Sequence, residues 1–117
     1  MREGDAILAE AFDLAHLRRQ TLGDDALRAE ILGMLETRLS EQRVALDSPN
    51  GADRASIAHT ICGSASSTGA ARLAEAARRV ELNPDAAAAM AELRQRLSEA
   101  LDALSRARLA RLTGRGE

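Results

Sequence analysis

A length of 117 residues is that of one domain, and 45% hydrophobic with 29% charged residues is the composition of a folded globular chain. Ala (25) and Leu (17) far outnumber Ile (4), Val (2) and Thr (5), and one Phe with no Trp or Tyr leaves little material for strands. Sandwiches, barrels and Rossmann units are thereby excluded, the net charge of -2 speaks against a phosphate-coating basic surface, and one all-α domain over residues 1–117 is expected.

Five helical segments follow in chain order. The first, about residues 5–21, carries Ile7, Leu8, Ala11, Phe12, Leu14, Ala15 and Leu17 at helical spacing, and Leu22-Gly23-Asp24-Asp25 ends it. The second, about 25–46, begins at an Asp cap and sets Leu27, Ile31, Met34, Leu35, Leu39 and Leu46 on one side. Asp47-Ser48-Pro49-Asn50-Gly51 is a turn in which Ser48 or Asn50 caps a third helix, about 51–67. Thr68-Gly69 separates it from a fourth, about 70–82. Asn83-Pro84-Asp85 then combines an N-cap residue, a first-turn proline and an acid, opening a last helix over about 85–112 with Met90, Leu93, Leu97, Leu101 and Leu104 along it. Short loops make neighbours antiparallel, which gives an antiparallel up-down four-helix bundle with an additional short N-terminal helix across one end.

The third helix differs from its neighbours. At 100° per residue, Ile57, Ile61, Ser64 and Thr68 form the inward face, with Ala58 and Ala65 to one side, and His59 points the opposite way. Around it lie Ala52, Ala55, Ser56, Cys62, Gly63 and Ser66, where exposed helices ordinarily carry charged residues. Gly63, mid-helix, costs about 1 kcal/mol relative to alanine. One reading is a cleared platform that lets a macromolecule approach one exposed imidazole. The other is a close contact with the first helix or with a second copy of the chain.

Other chemistries have less behind them. His59 and Cys62 stand at i and i+3, but a structural zinc needs four ligands and only His16 and scattered carboxylates remain, so no metal is expected. His16, beside Leu17, reads as a packing residue. No nucleophile elbow exists, and all 16 basic residues are Arg, so there is no Walker loop, and no ATP chemistry by this chain alone is expected. No apolar run is long enough to span a bilayer, the charged opening is not a signal peptide, and a single Cys suits a reducing cytoplasm; a cytoplasmic protein without membrane partners is expected. Residues 1–53 are net -5 and residues 54–117 net +3, which suits pairing between neighbouring helices. Arg106, Arg108, Arg111 and Arg115 complement a helix C-terminus, and nucleic acid is not an expected partner.

The run Ala58-His59-Thr60-Ile61-Cys62-Gly63-Ser64-Ala65-Ser66-Ser67-Thr68-Gly69-Ala70, followed by Leu73 and Val80-Glu81, resembles the histidine-containing phosphotransfer (HPt) domain family. That family's pattern is a histidine, lysine-glycine-serine three to five positions on, a leucine-glycine-alanine turn, a leucine and a final leucine-glutamate. Phe12-Asp13-Leu14, Leu17 and Gly23-Asp24-Asp25 are similar to its opening, and the likeness covers about residues 12–105. It implies a protein of a multistep two-component phosphorelay. His59 would accept a phosphoryl group on its outer ring nitrogen from the aspartate of one receiver domain and pass it to another. Receiver domains and a hybrid or sensor histidine kinase are the implied partners. The chain itself would be a monomeric phosphoryl carrier without a cofactor, the Mg²⁺ residing on the receiver. Imidazole suits the task because it titrates near neutrality and offers a free lone pair without a dedicated base.

One departure from the pattern bears on the chemistry. Cys62 stands where the family has its lysine, and a charge-assisted hydrogen bond of that kind is worth about 1.5–3 kcal/mol, or one to two powers of ten. Arg43 on the second helix and Arg78 on the fourth are the candidates to replace it. Gly63 and Ser66 leave room for the phosphoryl group, and Ala52, Ala55 and Ser56 extend the docking face. Ser64 is expected to pack and bond backbone. Glu81 is expected to hold the inner ring nitrogen's proton or to pair with Arg78 or Arg79. The alternative reading is a degenerate HPt-like interaction module that binds a receiver or kinase without being phosphorylated.

Overall fold

The computed structural model describes residues 2–112, which form six α-helices and short connections, with no strand among them. They are α1 (Glu3–Leu8), α2 (Leu14–Gln20), α3 (Asp25–Ala45), α4 (Gly51–Ser67), α5 (Ala71–Leu82) and α6 (Ala87–Leu112). Side-chain caps start three of them. Asp13 accepts from the His16 N–H (3.2 Å), Asp24 from the Leu27 N–H (3.0 Å), and Asn50 from the Ala52 N–H (2.9 Å). Left-handed residues close two turns: Leu22 and Gly23 after α2 (φ 54° and 73°) and Gly69 after α4 (φ 80°).

Helices α3 to α6 form the expected bundle. α4 lies against α5, α5 and α3 against α6, and α3 against α4, while α1 rests on α6. The core is aliphatic: Leu17, Leu39, Leu46, Ile61, Val80, Leu93 and Leu97 are fully buried, with Ala58, Ala65, Ala76, Ala77 and Ala100 where helices approach closely. Each buried Leu, Ile or Val contributes about 1.5–3 kcal/mol. The buried carboxylate of Asp5 is answered by Arg28 at 2.8 Å, which ties α1 to α3.

Three expectations are corrected. The first helix is not continuous over 5–21: the chain turns between Leu8 and Leu14, because Asp13 caps α2 and its N–H donates to the Gly69 carbonyl. Both Leu8 and Phe12 stay buried through the turn, so apolar spacing did not betray it. On α3 the bundle takes Leu32, Leu35, Leu39 and Leu46, leaving Leu27 and Met34 exposed; the helix carries two apolar stripes and only one is used. The last helix starts at Ala87, since Asn83 to Ala86 form a turn whose Pro84 carbonyl and Asp85 carboxylate are both bound by Arg54. Arg115 lies outside the described residues.

Candidate functional site

Because α4 buries Ala58, Ile61 and Ala65, His59 is driven outward, and its side chain is 75% exposed. Its Nδ1 lies 2.7 Å from Glu81 Oε2 on α5. A carboxylate can only accept, so the neutral ring carries its proton on Nδ1 and keeps the Nε2 lone pair free on the outward side. The bond also fixes the ring's orientation.

The surface around the ring is low. Ala52, Ser56, Gly63 and Ser66 are exposed, and Ala55 and Cys62 are half-buried, Cys62 with its side chain against the core. A Cβ built on Gly63 meets no atom within 4 Å. Among the described residues, therefore, the first helix does not pack over Gly63. Ser64 is half-buried, and its carbonyl accepts from the hydroxyls of Ser67 and Thr68. His16 packs as expected and adds a tie, Nε2 standing 2.9 Å from the Ser67 carbonyl.

The two candidate cations fare differently. Arg43 follows Glu36 by seven residues, on the same stripe of α3, and Glu36 is bound by Arg108 of α6 at 3.1 Å. By helical spacing Arg43 continues the stripe that Glu36 turns toward α6, and it is exposed. Arg78 lies on the α5 segment that ends at Glu81, exposed and only loosely held by Glu75 at 3.9 Å.

Arg54 was missed. It donates to the Ser48 carbonyl (2.9 Å), the Pro84 carbonyl (3.2 Å) and Asp85 (2.9 Å), clamping the loops before α4 and after α5. The clamp ties the first turn of α4 to the loop that follows α5, the helix that carries Glu81. No local motif announces it, since two of its three partners, Pro84 and Asp85, are about 30 residues away in sequence. Among the described residues no group of three or more His, Cys, Asp or Glu could hold a metal, and no helix is long and apolar enough to cross a membrane.

A family model, the Hpt domain, matches residues 26–107, from the start of α3 through most of α6, with His59, Gly63 and Glu81 inside the match. The chain belongs to the Hpt domain family. No curated protein and no solved structure gives a significant match. Membership carries a phosphotransfer role in two-component signalling, in which Hpt domains interact with receiver domains and kinases. In this Hpt domain α1 lies wholly outside the matched span, as does α2, so the buried Asp5–Arg28 pair joins an N-terminal addition to the matched bundle.

Proposed function

We propose that this Hpt domain is a cytoplasmic relay protein that carries a phosphoryl group on His59 Nε2 between the aspartates of receiver domains. The observation that carries the reading is the 2.7 Å bond from Nδ1 to Glu81, which leaves the other ring nitrogen nucleophilic and facing outward over an uncovered Gly63.

The step balances on these atoms. The Nε2 lone pair attacks the phosphorus of an aspartyl phosphate, the N–P bond forms as the P–O bond breaks, and the aspartate leaves as a carboxylate. The proton on Nδ1 stays in place, so the ring becomes positively charged as it takes the phosphoryl group. Glu81, already bonded to that proton, faces the charge as it develops, which is where a fixed opposite charge lowers a barrier. The rigid helix positions the nucleophile, and the receiver supplies Mg²⁺ and the acidic pocket. Ala52, Ala55 and Ser56 form the docking face.

The test is a phosphorylated receiver incubated with the protein. An acid-labile, alkali-stable label is expected in the wild type and absent in His59→Gln. Cys62 favours a second reading, a module that binds receivers without carrying phosphate; receiver binding with no label would establish that one instead.

A further inference from the structure

A phosphorylated His59 would place close to two negative charges beside the Glu81 carboxylate, which already sits 2.7 Å from the ring. Such a site needs a cation. α4 has only one, Arg54, and its guanidinium is committed to Ser48, Pro84 and Asp85. On α3, Arg43 continues by helical spacing the stripe that Glu36 turns toward α6, and Arg38 lines the groove between α3 and α4 with Ser64, Ser67 and Thr68.

α5 settles the choice. The helices run antiparallel, and the bond between His59 and Glu81 fixes their level. Three residues on along α4 is Cys62; three residues back along α5 is Arg78, so these two stand opposite each other, about 4.5 Å along the axis from the imidazole. Arg79 is turned the other way, bound to Glu92 of α6 at 3.0 Å. Arg72 is about 9 Å further down the helix. Arg78 is 60% exposed, and its ion pair with Glu75 is a long contact of 3.9 Å, easily exchanged for a stronger anion.

Resting on the relay reading, we propose that Arg78 reaches across the small Cys62 side chain to hydrogen-bond the phosphoryl oxygens on His59, supplying from α5 the charge that α4 lacks. A guanidinium suits this task, because its fork of donors matches phosphate oxygens and it remains charged at any working pH.

The test uses phosphoramidate as a small donor: its N–P bond breaks, ammonia leaves and the phosphoryl group passes to Nε2, so the equilibrium against added ammonia measures the phosphorylated state without a receiver. His59 occupancy is read by ³¹P NMR and acid lability. Arg78→Gln is expected to lower the equilibrium constant by about threefold to tenfold, with Arg78→Lys retaining most of it, the modest size reflecting an exposed site. Cys62→Lys in the Arg78→Gln background is expected to restore it, a rescue that a merely structural arginine would not allow. Arg78→Gln with the wild-type constant, or Arg38→Gln with an equal loss, would overturn the assignment while leaving the relay intact. A wild type that takes no label on His59 would overturn the relay reading and this one with it.

Discussion

Gly63 separates the stability of the fold from the access that function requires. An added Cβ there meets nothing within 4 Å, and the position is the interior of a 17-residue helix. Gly63→Ala therefore removes only the glycine penalty and should stabilise the protein by about 0.5–1 kcal/mol, raising Tm by about 2–5 °C. Gly63→Gln should also stabilise, by about 0.5 kcal/mol. Its longer side chain leans toward the helix N-terminus, over the residue four positions earlier, which is His59. A receiver must bring its aspartyl phosphate to Nε2 within near-attack distance, and displacements of about 1 Å can cost about a hundredfold. Gly63→Gln should thus lower kcat/KM for transfer from a receiver by about tenfold or more, while labelling by phosphoramidate changes by less than about threefold, a small donor needing less room. Gly33→Ala, equally free of neighbours but on α3, is the control: similar stabilisation with unchanged transfer. Thermal melts and receiver transfer kinetics decide the matter. A Gly63→Gln variant that is less stable than wild type, or that accepts phosphate from the receiver at the wild-type rate, would refute the reasoning.

Further outcomes are expected elsewhere. Glu81→Ala should slow transfer to His59 about fivefold, a loss of about 1 kcal/mol at a part-exposed pair, with Tm nearly unchanged; Glu81→Gln, which still accepts from Nδ1 but lacks charge, should fall between. Asp5→Ala strands the part-buried Arg28 and should lower unfolding free energy by about 2–3 kcal/mol in urea, with loosening concentrated in α1 when followed by hydrogen exchange. Ile61→Ala opens the core directly beneath the site and should cost about 2–4 kcal/mol. The Arg2 hydrogen bond and charge hold the Asp25 carboxyl below its ordinary range, so their contribution is complete above the unfolded value of about 3.9 and is lost as pH falls through the lower folded one. The Tm gap between wild type and Arg2→Gln should therefore be widest above about pH 4 and close on further acidification.

What could be read from the residues alone was whatever is local or periodic. Composition sufficed for the all-helical class, the Asp24-Asp25 pair and the choice of Ser48 or Asn50 marked two helix starts, at which Asp24 and Asn50 are the caps, and the 100° wheel on α4 turned His59 outward. The missed features are tertiary. The turn between α1 and α2 is stabilised by Asp13 meeting Gly69, a partner 56 residues away, while Leu8 and Phe12 keep the apolar rhythm on either side of it. The start signals at Asn83 to Asp85 are locally sound, yet Arg54 of α4 draws Pro84 and Asp85 into a clamp and delays the helix to Ala87. On α3, two apolar stripes compete, and only packing against α6 decides which is buried and where Arg43 faces. A helix's rotation about its own axis is set by its neighbours, so the level of a residue is easier to derive than its direction.

Transfer from a phosphorylated receiver to protein carrying ¹⁵N-labelled histidine bears most directly on the relay. A one-bond phosphorus–nitrogen coupling at Nε2 of His59, with Nδ1 still protonated, is the expected result. Coupling at Nδ1 or at His16, or a receiver that docks and leaves both imidazoles unmodified, would contradict it.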